Sequence, residues 1–436
     1  MTAGWSQILR RRTAVIRTWA SGVTIAAAVA ACSSASSELA PPPVPSPTPE
    51  DAGAAAVSSS PLDVFDVPIS GISDDERKQF VTGDRLFELP LRAADGLGPL
   101  YTRASCASCH ASGVRGPGSV QKMAVVLDDG VTRSPDQSAL PFGSTTRPLK
   151  TAGATRSILP PDDPGVNVKV TTRVGPSILG RGYIEAILDS EIERVAAEQA
   201  SRGDGIHGRI NHVRYASENN SELRFQGPSK GDLVIGRFGF KARIATLDDF
   251  TADALQGDMG ITSPLRPTEL PNPDGLTDDA KPGVDVTLPS VEARAMYVRL
   301  TAIPPRSLDE AGRALFERAQ CAVCHIPALK TRPDFPIAVL AGIDAPIYSD
   351  LLVHDMGAAL ADGVEEGEAR SRDWRTAPLI GLRHNRTFLH DSRASTIEEA
   401  ILMHGAPDSE AAESIRLYSN LNPQERATLL AFVSAL

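Results

Sequence analysis

Two short motifs in this chain combine a pair of cysteines with a histidine. The first is CASCH, from Cys106 to His110, and the second is CAVCH, from Cys321 to His325. Two thiols at this spacing suit attachment to the two vinyl groups of a haem, and the adjacent histidine then faces the iron as its proximal ligand. We therefore predict two covalently bound haem c groups. Their thioether cysteines are Cys106, Cys109, Cys321 and Cys324, and their proximal ligands are His110 and His325.

Two other interpretations explain the cysteines but not the histidines. A zinc site with four cysteines would take one pair from each motif, and a thioredoxin-like disulfide would form within each pair. Neither site needs a histidine directly after the second cysteine, yet both motifs have one. The haem interpretation is therefore preferred.

The first 32 residues indicate export. Residues 1–31 hold four arginines and then most of the apolar run GVTIAAAVAAC, which ends at Cys32, and this pattern is typical of a secretory signal. The run is shorter than the roughly 20 residues that a membrane-spanning helix needs. Val29 to Cys32 resembles the lipobox of bacterial lipoproteins, so we predict cleavage before Cys32 and lipidation of its thiol. The mature protein would then be a periplasm-facing lipoprotein, at the outer membrane in a Gram-negative source, held by its lipid alone.

Composition divides the rest of the chain. Residues 32–61 are rich in Pro, Ser and Ala, which predicts a flexible tether. The 375 residues that follow are enough for two domains with cores of their own. Removal of residues 1–31 takes away four arginines and no acidic residue, so the formal charge changes from -10 to -14. This acidic balance argues against nucleic acid as a partner and favours a basic one.

Each cysteine motif follows a segment that predicts a helix. SDDERKQFVTGDRLF has a capping box at Ser73 and Glu76, and SLDEAGRALFERAQ has one at Ser307 and Glu310. Each of these segments carries a glycine and a phenylalanine one turn apart, namely Gly83 with Phe87 and Gly312 with Phe316. The repeated order indicates an internal duplication.

Each half also ends in a predicted helix. The first is LPSVEARAMYVRLTAIPP, which stops at Pro304, and the second is NPQERATLLAFVSAL, with Asn422 as its cap and Pro423 at the first helical position. We therefore predict an N-terminal cytochrome c-like domain at residues 62–305 and a C-terminal cytochrome c domain at residues 306–436.

Several longer segments carry a resemblance to a known family. They are GPLYTRASCASCH, GRFGFKARIATLDDFTADALQGDMGITS, AMYVRLTAIPP, GRALFERAQCAVCH, YSDLLVHDMG and FLHDSRASTIEEAILMHG. With them, residues 62–436 resemble the di-haem oxidoreductases, sometimes labelled thiol oxidoreductases, which are related to bacterial di-haem cytochrome c peroxidases. The resemblance implies a mainly α fold of two cytochrome c-like domains, the first enlarged by an insertion.

The insertion lies between His110 and the GDMG segment and reads as loops with short strands. Val166, Val168 and Val170 alternate as in a strand, whereas YIEAILDSEIERVAAEQA predicts one helix. The glycine-rich turn RGDGIHGRIN admits a calcium loop at Asp204, although it offers few carboxylates.

Met356 is the candidate sixth ligand of the C-terminal haem. It lies in LLVHDMG, about thirty residues after His325, where a cytochrome c commonly supplies a thioether. Such a ligand raises the reduction potential and suits electron transfer. The alternative is that Met356 fills a gap in the core.

Asp258 and Met259 are the candidates beside the N-terminal haem. Asp258-Met259-Gly260 resembles the peroxidase segment in which a carboxylate followed by Met lies beside the haem that reacts with peroxide. The resemblance implies that Asp258 is the catalytic acid and base that moves a proton as the O–O bond breaks. The chain departs from the peroxidases, because an aspartate replaces a glutamate and Phe250 stands where a glutamine is expected. If Met259 instead ligates the iron, the site is closed; the sequence leaves both possibilities open.

Trp374 and His390 are further cofactor-binding candidates. Trp374 falls where the related amine-dehydrogenase maturation enzyme has a tyrosine, and it is either an electron relay or haem packing. His390, in FLHDSRAS, matches the family's histidine beside the haem edge, where it would bond to a propionate or orient a ligand. Arg375 and Arg393 are candidates to pair with the propionates.

The resemblance leads to two hypotheses about function. The first is an exported di-haem c-type oxidoreductase, peroxidase-like, in which electrons enter at the C-terminal haem and reach the N-terminal haem. Its partners would be a small redox protein or quinol-linked electron donor, and peroxide or another small oxidant. The second is a non-catalytic electron-transfer protein with both irons six-coordinate.

Overall fold

The computed structural model describes residues 66–162, 167–225, 227–277, 283–307 and 309–436. The predicted signal peptide, the tether and the lipidated Cys32 lie outside these residues. The described residues belong to one compact unit, so the predicted domain boundary after residue 305 stays a prediction.

Helices dominate the regular structure, as predicted. Within the described residues there are nine α-helices: α1 Asp74–Glu88, α2 Arg181–Ala186, α3 Asp189–Ala200, α4 Leu247–Met259, α5 Leu288–Leu300, α6 Glu310–Arg318, α7 Ile397–Leu402, α8 Ala412–Ser419 and α9 Pro423–Ala435.

The strands form small antiparallel pairs. These are β1 Leu100–Tyr101 with β3 Leu149–Lys150, β2 Ser119–Val125 with β4 Val168–Val174, β5 His212–Arg214 with β6 Leu233–Ile235, β7 Leu329–Lys330 with β8 Asp344–Ala345, and β9 Val353–Asp355 with β10 Asp373–Arg375. The strands β2 to β6 lie in the predicted insertion, so the expectation of short strands there is confirmed.

The first helix pair is α1 packed on α5. Ser73 caps α1 through the predicted box, since Glu76 N donates to Ser73 Oγ over 3.2 Å and Ser73 N donates to Glu76 Oε2 over 2.9 Å. The two helices approach so closely at Gly83 that a Cβ there would lie 2.1 Å from the carbonyl oxygen of Ala293. Only glycine permits this approach.

The second helix pair, α6 on α9, repeats the design. A Cβ at Gly312 would lie 2.5 Å from Cβ of Phe432, and α9 begins with the predicted Asn422 cap and Pro423. In both pairs the helices cross at a glycine that lies one turn before a phenylalanine, namely Gly83 before Phe87 and Gly312 before Phe316. The structure therefore shows the internal duplication predicted from the sequence.

Two details of the predicted helices were wrong. α6 is capped by Asp309, whose carboxylate accepts from Gly312 N over 2.7 Å, and not by Ser307. The segment YIEAILDSEIERVAAEQA forms two helices, because the backbone at Ile187 and Leu188 is extended. Leu188 N donates to Lys330 O over 3.1 Å, so pairing with a distant part of the chain interrupts the helix.

Among the described residues, no helix combines the length and the apolar character needed to cross a bilayer.

Candidate functional site

The first cysteine motif follows α1 and β1. The His110 ring lies 6.1 Å from the Phe87 ring, between centroids, at an interplanar angle of 50°. Its Nδ1 is 2.7 Å from the carbonyl oxygen of Pro176. Because a carbonyl only accepts, Nδ1 carries the proton and Nε2 keeps its lone pair. Burial lowers the His110 pKa to about 4, so the ring is a neutral imidazole suited to bind a metal.

The second motif follows α6 and has the same geometry. The His325 ring lies 6.4 Å from the Phe316 ring at 54°, and its Nδ1 is 3.1 Å from Tyr348 O. Burial, and then the proximity of His404, lower the His325 pKa to about 4. Both predicted proximal histidines therefore present Nε2 as a ligand atom.

The four motif cysteines are free thiols in the structure, so no disulfide forms within either pair. The one group of three possible metal-ligating side chains found among the described residues is Cys324, Asp350 and His354. Since this group holds a single cysteine, the structure does not assemble a four-cysteine zinc site.

A cavity opens beside the first motif. Cys106, Cys109 and His110 line one part of its wall, and Asp258 and Met259 line another. The apolar side chains in the wall are Phe87, Ile178, Phe238, Leu247, Phe250 and Val298. The structure thus brings together every residue that the sequence predicted around the N-terminal haem.

Four arginines also line this cavity, namely Arg103, Arg181, Arg294 and Arg375. Within the described residues, none of them forms an ion pair with a carboxylate; Arg181 donates to Ser177 O over 2.7 Å and Arg375 to Gly239 O over 2.9 Å. Burial lowers the pKa of Arg181 to about 9 and that of Arg375 to about 10. Asp258 is the one carboxylate among the lining residues. The cavity is therefore cationic and suits a ligand with carboxylate groups.

Sequence reasoning proposed Arg375 for such a role but missed the other three arginines. They come from the first motif and from α2 and α5, so no local pattern links them. Arg393, the other arginine considered, instead pairs with Asp391, with 2.6 Å between its Nη2 and Oδ2.

Asp258 and Met259 form the last turn of α4. Main-chain bonds from Thr102 N to Asp258 O, 2.7 Å, and from Gly98 N to Met259 O, 3.0 Å, attach this turn to the segment before the first motif. The Asp258 side chain is partly exposed to the cavity, and burial raises its pKa, against the opposing charge of Lys122. Met259 is buried in an apolar cluster against which Cys106 packs. Both candidates therefore stay adjacent to the same cavity.

Trp374, His390 and Met356 form a second group. The rings of Trp374 and His390 stack with their centroids 3.8 Å apart at 13°, and Trp374 Nε1 donates to Leu360 O over 3.0 Å. Met356 is buried in a cluster with Leu360 and Trp374. The electron-relay role of Trp374 stays a prediction.

A buried lysine that the sequence did not single out supports this group. The Lys241 ammonium lies 4.0 Å from the centroid of the Trp374 ring. It donates to the carbonyls of Arg370, Ser371 and Asp373 over 2.8, 3.0 and 2.8 Å. These carbonyls lie some 130 residues away in the chain. The ammonium also pairs with Asp362, 3.4 Å away, and no sequence pattern indicates these partners.

A buried ion-pair network adjoins the second motif. His354 Nε2 lies 2.9 Å from Asp350 Oδ2, and its Nδ1 lies 2.8 Å from Glu410 Oε2. Cys324 Sγ is 3.9 Å from the same Nδ1. Although burial opposes it, the nearby Cys324 and Asp350 raise the His354 pKa well above 6.5, so the ring is an imidazolium.

Asp204, the candidate calcium ligand, lies in none of these groups of residues. Its carboxylate pairs with Arg202, and the calcium loop stays a prediction.

Comparison with known families decides what these sites belong to. Residues 152–436, more than half of the chain, match the family model described as "Di-haem oxidoreductase, putative peroxidase". The chain belongs to the di-haem oxidoreductase family. The resemblance drawn from the motifs is thereby confirmed, and membership implies haem cofactors. The matched residues include the second cysteine motif but not the first.

Solved structures with low similarity include hydrazine synthase from Kuenenia stuttgartiensis, 15% identical, with 91% of this chain and 100% of that chain covered and a TM-score of 0.35. A variant of the di-haem peroxidase BthA from Burkholderia thailandensis is 14% identical, with coverages of 82% and 85% and a TM-score of 0.35. A MauG-like protein associated with microbial copper homeostasis is 17% identical, with coverages of 57% and 89% and a TM-score of 0.29. TM-scores this low carry no argument about fold or function. No curated protein sequence matches the chain.

The residues of this chain fit haem at both motifs. At the first, a neutral histidine and two thiols share an apolar cavity with arginines that lack carboxylate partners. At the second, Cys321 packs in an apolar cluster with Phe316 and Tyr348, beside a neutral His325. The donor sets are those of haem c attachment.

Proposed function

We propose that this member of the di-haem oxidoreductases is an exported, lipid-anchored, peroxidase-like di-haem c-type enzyme. Cys32 would carry the lipid and place the protein on the periplasmic side of a membrane. Electrons enter at the C-terminal half, from a small redox protein or a quinol-linked donor, and reach the N-terminal half, where peroxide or another small oxidant is reduced. The observation that carries this proposal is the single carboxylate, Asp258, in the wall of the cationic cavity beside His110.

The covalent bonds of the proposal use residues that the structure leaves available. Cys106 and Cys109 at the first motif, and Cys321 and Cys324 at the second, are free thiols for thioether bonds, while His110 and His325 ligate through Nε2. Haem bound at these positions supplies redox-active iron.

The remaining parts of the N-terminal site have separate tasks. Arg181 and Arg375 bind and orient the cofactor carboxylates, and the apolar wall keeps bulk water away from the reacting oxygen atoms. Reduction of hydrogen peroxide to water consumes protons as well as electrons. Asp258 takes the proton from one peroxide oxygen and returns it to the other. Its raised pKa makes the carboxyl a better proton donor than an exposed aspartate at neutral pH.

The test exchanges one carboxylate in each half. Asp258→Asn should lower peroxidase turnover by about 10²–10⁴-fold, with haem content and spectra unchanged. Asp355→Asn is the matched control, since Asp355 also precedes a Met-Gly pair but is bonded to Arg372, 2.8 Å away; its turnover should stay within a few-fold of wild type. Full turnover in the Asp258→Asn protein would disprove the catalytic role.

The second candidate is a non-catalytic electron-transfer protein. The burial of Met259 in the same cavity wall favours it, because a thioether there is available to ligate the iron. Spin state separates the two functions. A high-spin or readily opened ferric haem at the first motif supports the enzyme, and two low-spin haems that peroxide does not alter support the carrier.

A further inference from the structure

Four histidines in the described residues donate Nδ1–H to a main-chain carbonyl, and three of them are shielded from solvent. The three are His110 with Pro176, His325 with Tyr348, and His404, whose Nδ1 lies 2.7 Å from Ala400 O. The fourth, His207, has its Nδ1 3.2 Å from Gln199 O and is exposed. A carbonyl partner at Nδ1 fixes the tautomer in which Nε2 is a free donor for a metal. Two of the three are the proximal ligands proposed above, and the third has no role yet.

His404 lies on the side of the second motif. It follows α7, whose Ile397 and Ile401 pack against the apolar cluster that also receives Cys321. Within the described part of the chain, Nε2 of His404 has no hydrogen-bond partner.

Two other histidines of the second half, His354 and His390, have different surroundings. Both ring nitrogens of His354 face carboxylates, those of Asp350 and Glu410, so this ring has no lone pair to give. The His390 ring is stacked on Trp374.

Met356, the sequence-based candidate, has a different environment. Its side chain is buried with Leu360 and Trp374, and Phe240, Leu389 and Ala411 pack around that cluster. Cys321 belongs to the other cluster, with Phe316 and Tyr348. Met356 thus has the neighbours of a core methionine.

We propose that His404, in place of Met356, is the sixth ligand of the iron attached at Cys321 and Cys324. The inference rests on the proposed function only in requiring a haem c at the second motif. Two imidazole ligands hold the iron at a lower reduction potential than one imidazole and one thioether. The C-terminal half is then a bis-histidine electron-transfer centre.

The test uses the purified holoprotein and four variants. Wild type should have no sulfur-to-iron charge-transfer band that depends on Met356, so Met356→Leu should leave the low-spin spectrum unchanged. His404→Ala should convert one haem to high spin. His404→Met, which keeps a ligand and guards against misfolding, should introduce the charge-transfer band and raise the reduction potential of that haem. His207→Ala, with the same Nδ1 bond in an exposed ring, should change nothing.

Opposite spectra overturn the assignment. A wild-type charge-transfer band that disappears in Met356→Leu identifies Met356 as the ligand, and an unchanged low-spin spectrum in His404→Ala removes His404. Failure of the proposed function looks different, because peroxidase turnover would be absent while these spectra behave as expected. Fewer than two haems in a pyridine haemochrome assay would defeat both.

Discussion

The two cysteine motifs are held by nearly the same local structure, but the residues around them differ. In both halves a helix crosses another at a glycine, a phenylalanine lies about 6 Å from the proximal histidine, and that histidine donates Nδ1–H to a carbonyl. The first motif opens on a cavity with four arginines and Asp258. The second adjoins the His354 ion pairs and His404.

The two halves therefore differ in segments other than the shared helix pair, phenylalanine and histidine. The N-terminal cavity is completed by α2 and α4, which belong to the insertion, and by Arg375 from the other half. In the proposed function, these shared helices and histidines hold the cofactor in both places. The added segments decide whether its other face meets a carboxylate and a cavity or a packed interior.

The largest effect we expect comes from deleting the cysteine pairs. Cys106→Ser with Cys109→Ser should leave one covalent haem per chain, and Cys321→Ser with Cys324→Ser should also leave one, because each pair forms its own thioether bonds. Pyridine haemochrome assays and mass spectrometry measure this. If either double variant kept two covalent haems, the deleted cysteine pair would not be a haem attachment site.

A large loss of stability is expected from Arg299→Met. This fully buried guanidinium on α5 joins α2 to α4, with 3.1 Å to Glu185 Oε1 and 2.7 Å to Asp248 Oδ2. Its removal leaves two buried carboxylates without their ion-pair partner and should lower the free energy of unfolding by about 3–5 kcal/mol.

The control in the C-terminal half is Arg313→Met, since Arg313 pairs with Glu310 on the exposed face of α6. It should cause no measurable change in denaturant titration. An equal loss of unfolding free energy in the two variants would contradict the stabilising role of the Arg299 ion pairs that link α5 to α2 and α4.

A smaller effect should separate the two glycine crossings. Gly83→Ala places a Cβ against a rigid carbonyl, 2.1 Å away, whereas Gly312→Ala meets the Phe432 side chain at 2.5 Å. Both should destabilise within the roughly 1–3 kcal/mol usual for overpacking, with Gly83→Ala nearer the upper end.

Gly257→Ala is the matched glycine control, because a Cβ at this helical position meets nothing within 4 Å. It should stabilise slightly through helix propensity. Thermal unfolding of the three variants tests the order, and a harmless Gly83→Ala would show that the first crossing is not tight.

Local features of the fold were readable from the sequence, and features that depend on distant partners were not. The Ser73 and Asn422 caps were predicted correctly, because capping depends on residues three positions apart. The break at Ile187 was missed, because it depends on pairing with Lys330. The convergence of Arg103, Arg181 and Arg294 and the bonds of Lys241 were missed for the same reason.

The sequence by itself determined the two attachment motifs, their duplication and the family, since each depends on residue types at short, fixed spacing. Tertiary structure decided which side chains meet on the far side of each motif. It placed Asp258 and Met259 in one cavity wall, Met356 in a cluster with Trp374, and α7, which precedes His404, against the cluster that receives Cys321. These placements depend on long-range packing of segments that are separate in the chain, and no local pattern encodes such contacts.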